Sequence, residues 1–329
     1  MATSRSIRIY FLERLALAAA TIFFLATVMF ALFRLLPGDP TLTVLSPALS
    51  PEVQAELRQR FGLDRPILEQ YARYVGNLLL GNFGVSFHQG VPVSQLLGQR
   101  LVNTVALMLP SLVLAYAIGI AVGAYIAWRR GSVLETATAT TAVVFRSAPI
   151  FWVAIIFISI FSVRLGVFPS GHMRTPGTEP GGVLATFLNA DFLHHLALPA
   201  IVMAVYYGCY PLLVMRASML EVLGEDFIDL CKAKGLSERR IIFTHALRAS
   251  LLPIATSVSL LGAYVVAGSV LVETVFSWPG LGRLMVQAVT DSDFPVAQAA
   301  FLLIAVLVVL GNLLADVLYG FLDPRIRYR

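Results

Sequence analysis

Residues 215–253 read MRASMLEVLGEDFIDLCKAKGLSERRIIFTHALRASLLP and separate two segments that are apolar enough to cross a membrane. Within them, a polar island at 216–252 holds both lysines of the chain and four of its arginines. Loops rich in Lys and Arg remain on the cytoplasmic side of a membrane. The island is therefore predicted to be a cytoplasmic connection that a soluble partner contacts.

The composition predicts that a lipid bilayer surrounds most of this chain. Apolar residues make up 58% of it, charged residues 13%, and the mean hydropathy is +0.80. In soluble domains about a quarter of the residues are charged. A spanning helix needs roughly 20 apolar residues. Six stretches meet this requirement: 14–36, 103–128, 138–163, 195–215, 253–276 and 297–321. We predict an all-α polytopic membrane protein with six transmembrane helices.

The distribution of basic residues predicts that both termini are cytoplasmic. The amino terminus, the 129–136 turn, the polar island and the carboxyl tail carry 14 of the 24 Lys and Arg residues. The first apolar stretch is longer than the core of a signal peptide and leads into Arg34-Leu35-Leu36-Pro37 instead of a small-residue cleavage site. It is therefore expected to stay in the protein as the first span.

The chain divides into three parts. Residues 1–36 hold the amino-terminal segment and the first span, 37–102 form an extracytoplasmic segment, and 103–329 form the core with the other spans and the island. In the extracytoplasmic segment, helical spacing of apolar residues predicts one amphipathic helix around 53–61 and another after Pro66.

Proline and glycine predict irregular spans. Pro149, Pro199 and Pro211 are expected to kink their helices. Glycines in the spans predict places where a helix approaches its neighbour closely. These glycines are Gly119, Gly123, Gly262 and Gly268.

Several functions are not supported by the sequence. Neither lysine follows a glycine as a phosphate-binding Walker A loop requires, so any use of ATP must come from a partner. No metal or hydrolase motif occurs, and His194-His195 is expected to be an interfacial pair. The positive charge follows topology and forms no basic, aromatic-rich stripe for nucleic acid.

Charged residues inside predicted spans are candidate functional residues because their burial in lipid is costly. Arg146, Glu273 and Asp316 are such residues, and Tyr206, Tyr207 and Asn312 are polar residues in the same spans. One interpretation is that the charges are satisfied within the helix bundle. The other is that these residues line a translocation path.

The island itself predicts a compact helical knob. Asp226 and Asp229 lie in the first turn of a predicted helix, where the helix dipole favours acids, and Gly235 is suited to end it. A second helix is expected to begin after Ser237-Glu238 and to run from Arg239 to Leu252, toward Pro253 at the membrane. An ordinary solvated loop is the alternative, but it gives no reason for apolar Phe227 and Leu236 beside the glycine.

The segment Ala233-Lys234-Gly235-Leu236-Ser237-Glu238-Arg239-Arg240, followed by His245-Ala246-Leu247-Arg248, resembles the cytoplasmic EAA loop of ABC-importer permeases. The Glu-Ala-Ala at the start of that motif falls on Asp229-Leu230-Cys231. Similar matches occur at Arg34-Leu35-Leu36-Pro37-Gly38-Asp39-Pro40, at 61–66, at 272–282 and at Leu322-Asp323-Pro324-Arg325. The resemblance is to the B-type permease of the dipeptide, oligopeptide and nickel importers.

This resemblance implies the type I importer permease fold in a bacterial cytoplasmic (inner) membrane. It also implies a heterodimer with a second homologous permease, two ATPase subunits that bind ATP and Mg, and an extracytoplasmic substrate-binding protein. It assigns no enzymatic activity, cofactor or metal to this chain. The knob is then the coupling helix, with these ATPase-coupling residues: Asp226, Phe227, Asp229, Leu230, Ala233, Lys234, Gly235 and Leu236.

Short peptides are the expected substrate, with nickel chelates or glutathione as alternatives within the family. Two other functions are alternatives. A secondary transporter or channel would also use several spans and buried charges, but would act without ATPases. A membrane-embedded enzyme would need a nucleophile and base or a metal set, and the spans show neither.

Overall fold

The computed structural model describes residues 7–35, 65–178 and 186–322, and it describes their side chains except at 7–10, 35, 255–268 and 314–322. The described residues are mostly helical, and Val85 and Pro92 form one isolated β-bridge. The α-helices, in chain order, are α1 Ile7–Leu35, α2 Ile67–Leu79, α3 Val93–Trp128, α4 Val133–Ser147, α5 Ile150–Phe157, α6 Ala190–Val222, α7 Asp226–Ala233, α8 Glu238–Arg240, α9 Leu247–Val275, α10 Leu281–Thr290 and α11 Phe294–Leu322.

Four helices of the described chain are long and apolar enough to cross a membrane, and a bent helix pair could supply a fifth span. The four segments are Phe11–Arg34, Val93–Trp128, Ala190–Val222 and Phe294–Leu313. They correspond to the first, second, fourth and sixth predicted spans. The fifth predicted span falls on α9, where part of the side chains lies outside the description. The number six and the orientation of the termini stay predictions.

The predicted span at 138–163 is not one straight helix. Its residues form α4 and then α5, which a π-helical segment extends to Arg164, and the axes of Val133–Ser147 and Ile150–Arg164 differ by 109°. Ala148 between them is extended, with φ −76° and ψ 146°, and Pro149 follows it. A proline disfavours helical backbone in the residue before it and lacks an N–H for the helix ladder. The predicted kink at Pro149 is therefore a sharp break.

Helices α3 and α6 pack closely because two glycines of α3 face the backbone of α6. A Cβ atom at Gly123 would lie 2.5 Å from the carbonyl oxygen of Leu212, and one at Gly119 would lie 2.7 Å from that of Gly208. These approaches leave no room for a side chain, and small residues permit such contacts between spans. The predicted close approach at Gly119 and Gly123 is confirmed. Gly262 and Gly268 lie outside the described side chains.

Proline does not end the helix that follows the island. The sequence predicts a helix from Arg239 to Leu252 and a separate span that begins at Pro253, but Pro253 lies inside α9, which runs from Leu247 to Val275. One missing backbone hydrogen bond is tolerated in a spanning helix when neighbouring groups hold the rest. Before α9, residues Ile241–Ala246 form a π-helical segment that continues from α8.

Helix α2 packs on the carboxyl-terminal half of α1. Thr27 and Tyr71 share a hydrogen bond of 2.7 Å between their hydroxyl oxygens, and the rings of Phe30 and Tyr71 are 5.2 Å apart in an edge arrangement. The amphipathic helix predicted after Pro66 is thus confirmed as α2. The helix predicted around 53–61 lies outside the described residues.

Candidate coupling site

The island folds as a short helix followed by a sharp turn. Helix α7 spans Asp226–Ala233 and has Asp226 and Asp229 in its first turn and Lys232 in its last, as the helix dipole favours. Gly235 has φ +72°, a left-handed conformation that glycine adopts without strain. The prediction of a helix ended by Gly235 is confirmed.

Two backbone hydrogen bonds close the end of α7. The amide of Leu236 donates to the carbonyl of Cys231 at 3.3 Å, and that of Gly235 donates to Lys232 at 2.9 Å. This pair of bonds is the Schellman motif, in which the first residue after the turn packs on the last helical turn. Leu236 and Cys231 indeed join the same hydrophobic cluster. The residues 226–236, which we call the knob, are therefore one compact unit.

The knob is held to the membrane helices by one face. Ile228 is 1% exposed and packs in a cluster with residues of α3, α6 and the π-helical segment. The buried members of that cluster are Tyr116, Ala124, Ala127, Met215, Met219, Ile228, Ile241, Ile242, Ala246 and Ile254. Because interiors are close-packed, a displacement of the knob is transmitted to the helices that it contacts.

The opposite face of the knob is apolar and open. Phe227 is 38% exposed and Leu230 is 55% exposed, and they lie three residues apart on one side of α7. Lys232 and Asp229 form an exposed ion pair of 2.7 Å beside them. Of the eight residues predicted to couple, all are exposed except Leu236, which is half-buried. The exposed face offers two apolar anchors with charged neighbours.

Two contacts that the sequence reasoning missed join the knob region to the spans. Arg216 of α6 donates to Glu135 of α4 at 2.8 Å through Nε, and the Gly131 amide donates to the other Glu135 oxygen at 2.6 Å. Trp128, the last residue of α3, donates its indole N–H to Glu238 at 2.8 Å. The spacing of Ser132 and Glu135 is a capping-box signature, and the sequence does contain that signal.

The candidate path residues do not form one group. Arg146 is exposed, and its guanidinium carbon lies 5.0 Å from the ring centre of Tyr210 on α6. Tyr206 and Tyr207 are half-buried, with rings 5.3 Å apart, and pack on the core. Asn312 is exposed on α11. The side chain of Asp316 lies outside the description.

Glu273 is the centre of a buried hydrogen-bond network, which we call the clasp, that joins α3, α9 and α10. Its side chain is 0% exposed and accepts a hydrogen bond from the Thr104 hydroxyl at 2.7 Å and from the Arg283 amide at 3.0 Å. Thr104 in turn accepts from the Leu281 amide at 2.7 Å. The carboxylate thus binds the amino-terminal turn of α10 to α3 and α9. This arrangement matches the interpretation of a charge satisfied inside the bundle.

Residues next to Glu273 complete the clasp. The Trp278 indole donates to the carbonyl of Asn103 at 2.9 Å, and the Asn103 side chain donates to the carbonyl of Pro279 at 2.9 Å. A Cβ atom at Gly280 would lie 2.3 Å from the carboxyl carbon of Glu273. The Trp-Pro-Gly turn therefore needs glycine at this position.

The chain matches known proteins over nearly its whole length. Residues 119–328 match the family described as binding-protein-dependent transport system inner membrane component, and residues 8–108 match its amino-terminal part. The chain is 38% identical to the oligopeptide transport system permease protein AppB of Bacillus subtilis, covering 97% of this chain and 99% of that one. It is 40% identical to the di/tripeptide transport system permease protein DppB of Pseudomonas aeruginosa, covering 96% and 98%.

A solved structure shares the fold. The match is to a chain of the MetNI methionine ABC transporter in an inward-facing conformation, with a TM-score of 0.53 and 18% identity. It covers 70% of this chain and 97% of that chain. The family match and the full-length relatives show the family that the sequence resemblance predicted, and the solved structure supports the fold. The chain belongs to the family of binding-protein-dependent transport system inner membrane components, the permeases of ABC importers, and is a multi-pass protein of the inner membrane.

Proposed function

We propose that this chain is the permease subunit of an ATP-driven importer of short peptides. It forms the translocation path together with a second homologous permease, and an extracytoplasmic binding protein delivers the peptide. Two partner ATPase subunits bind ATP and Mg, and this chain contributes no cofactor and no catalysis. The names of its relatives, which are oligopeptide, dipeptide and di/tripeptide permeases, support the substrate class.

The observation that carries this proposal is the two-sided knob. Its inner face is anchored by the buried Ile228, while its outer face presents the exposed Phe227 and Leu230. Residues at the buried centre of an interface contribute most of its binding energy, and aromatic side chains such as that of Phe are enriched there. A partner ATPase with a matching groove would therefore bind α7 through these two side chains. Charged residues would lie at the rim of that contact: Asp226, Asp229 and Lys234.

The packing of the knob on the membrane helices would transmit a movement of the ATPases to those helices. The knob contacts Met215 and Met219 of α6 and the π-helical segment that leads into α9. When ATP draws the two ATPases together, α7 moves with them, and the helices packed on it move as well. Such rigid-body movement of helices can expose a central path alternately to the two sides of the membrane.

For the path itself, Arg146 is the strongest of the proposed lining residues. It is a charged side chain in an apolar helix and is exposed in the single chain. Exposure to lipid would be costly there, so a water-filled path or the second permease is the expected surrounding. Tyr206, Tyr207, Asn312 and Asp316 stay proposals for the same lining. Glu273 is retained with them only as a residue that holds the outer end of the path.

The test is a set of α7 variants in the assembled complex reconstituted in liposomes. Phe227→Ala combined with Leu230→Ala should abolish peptide uptake and binding-protein-stimulated ATP hydrolysis, because the ATPases lose both anchors. Leu188→Ala, which truncates a side chain 72% exposed and far along the chain from α7, is the matched control. Uptake that continues without ATPases would instead favour the secondary transporter. Uptake of nickel chelate or glutathione, but not of peptide, would correct the substrate class.

A further inference from the structure

Three aromatic rings meet where α3 ends, beside the knob but not part of it. Trp128 lies 6.0 Å from the Tyr125 ring and 6.2 Å from the Phe243 ring, in edge arrangements measured between ring centres. Tyr125 is 40% exposed and Phe243 is 50% exposed. We name Tyr125, Trp128, Arg129 and Phe243 the Trp128 patch. Trp128 and Phe243 border the knob, but the exposed surface of the patch is not part of the ATPase contact proposed above.

The Trp128 patch carries positive charge. The guanidinium carbon of Arg129 lies 5.2 Å from the ring centre of Trp128 and 5.9 Å from that of Tyr125. Arg239 and Arg240 are exposed, and Arg239 lies four residues before Phe243, about one turn of the helix, so it is on the same side as Phe243. Stacking on the rings fixes the position of the Arg129 guanidinium and leaves its N–H donors open for an anion.

Two acids lie near these arginines and are already engaged. Glu238 accepts the indole N–H of Trp128, and its single charge is outnumbered by Arg239 and Arg240, which follow it. Glu135 accepts from Arg216 and from the backbone of the 129–132 turn. The patch therefore keeps an excess of positive charge.

The position of the patch selects the kind of anion. Trp128 ends an apolar helix of 36 residues, and Trp and Tyr concentrate where a span meets the headgroup region. Beyond the following turn, Val133 is 86% exposed and Leu134 is 48% exposed at the start of α4, which extends the apolar surface. A phospholipid has both the anionic group for the arginines and the acyl chains for this surface.

We propose that the Trp128 patch, together with Arg239, binds the phosphate of an anionic phospholipid headgroup. Guanidinium groups bind phosphate oxygens through paired hydrogen bonds. Basic residues at the membrane surface bind anionic lipids preferentially, and each contributes measurably. The bound lipid would hold the end of α3 against the π-helical segment at the membrane edge. This proposal concerns a lipid site and does not depend on the identity of the transported solute.

The test uses Trp128 as the reporter in the full-length chain. The chain is reconstituted in phosphatidylcholine vesicles that contain an equal fraction of either brominated phosphatidylglycerol or brominated phosphatidylcholine, and the quenching of tryptophan emission is compared. The Trp128→Phe variant supplies the signal of the other two tryptophans, Trp152 and Trp278, for subtraction. Trp128 should be quenched preferentially by the brominated phosphatidylglycerol, and less so at high salt.

Arginine variants connect the preference to the patch. Arg129→Gln or Arg239→Gln should each reduce the phosphatidylglycerol preference by about fivefold, whereas Arg73→Gln on α2 should leave it unchanged. Equal quenching by the two lipids, or an unchanged preference in both patch variants, overturns the proposal. Loss of the preference on adding inorganic phosphate at constant ionic strength also overturns it in favour of a free anion. In a separate measurement, the assembled complex that carries Arg129→Gln is purified. If the lipid preference is unchanged and this complex retains the ATPases more weakly, the patch is assigned to a protein partner instead.

Discussion

Arg216 donates two hydrogen bonds to the same carboxylate oxygen of Glu135, from Nε at 2.8 Å and from Nη2 at 2.5 Å, and so joins α6 to the first turn of α4. Glu135 is buried, whereas the Arg216 side chain is 33% exposed. The pair fixes the turn at 129–132 next to the helix that leads to the knob. Removing one member of this pair should therefore lower the stability of the chain.

We expect Arg216→Met to lower the unfolding temperature of the chain in detergent, because the buried Glu135 carboxylate loses its charged partner. The double variant with Glu135→Leu should recover part of the loss, since no unpaired charge is then left. Thermal unfolding followed by tryptophan fluorescence measures both. A double variant less stable than Arg216→Met would contradict this account.

Substitution at the α3–α6 contact should be costly. Gly123→Ala places a Cβ atom where the Leu212 carbonyl oxygen lies 2.5 Å away, so the helices must separate. We expect a loss of about 1–3 kcal/mol, the usual range for overpacking. Gly98→Ala in the same helix is the control, because a Cβ atom there meets nothing within 4 Å. The two variants are compared by chemical denaturation in the same micelles, and equal stabilities would refute the close approach.

The two faces of α7 should respond differently to truncation. Ile228→Ala removes a side chain that is 1% exposed and should destabilise the chain by about 2–5 kcal/mol. Phe227→Ala removes an exposed ring and should leave the unfolding temperature unchanged while reducing the co-purification of the ATPases. If Phe227→Ala destabilises the isolated chain as much as Ile228→Ala does, the assignment of the two faces is wrong.

The turn after α7 should not tolerate proline. Gly235→Pro cannot adopt φ +72° and loses the amide that donates to Lys232, so the Schellman turn cannot form. Membrane insertion should persist while transport-linked ATP hydrolysis is lost. Gly235→Ala should cost about 1–2 kcal/mol in backbone strain. Gly224→Ala is a control at a glycine without positive φ. Normal stimulated hydrolysis by an assembled Gly235→Pro complex would rule out the coupling role.

The clasp at Gly280 should be equally strict. Gly280→Ala brings a Cβ atom within 2.3 Å of the Glu273 carboxyl carbon, in a site where the carboxylate is held by several donors. The variant should be less stable than the wild type by about 1–3 kcal/mol. Gly76→Ala on α2 is the control, because Gly76 has no positive φ and a Cβ atom there meets nothing within 4 Å. Stability equal to that of Gly76→Ala would show that the turn can move away.

The parts of the fold that were predictable are those with local signals. Hydropathy alone located α1, α3, α6 and α11, and the acids before Gly235 located α7. The break at Pro149 was recognised as a kink, but its angle of 109° depends on how α4 and α5 pack on other helices, and periodicity carries no information on that. At Pro253 the sequence predicts a boundary between the helix from Arg239 and the fifth span, whereas α9 continues through that proline.

The site was predictable to the same extent. The knob residues were identified from a contiguous segment, but the contacts of Glu273 and of Arg216 join residues far apart in the chain. A sequence shows that Glu273 is a charge in an apolar helix and does not show that Thr104 and the start of α10 satisfy it. The positions of long-range partners follow only from the folded structure.

The π-helical segment at Ile241–Ala246 connects the knob to α9 with a changed helical repeat. One extra residue in such a segment offsets the residues before it from those after it by about 100° relative to a regular α-helix. If every residue of the segment adopted regular α-helical pitch, the knob would turn by nearly a third of a revolution around the axis of α9, whereas deleting one residue would restore that pitch and leave the knob facing almost as it does now. The facing of the knob relative to α9 is thus set by how the backbone accommodates one residue of chain length, independently of the side chains on either surface.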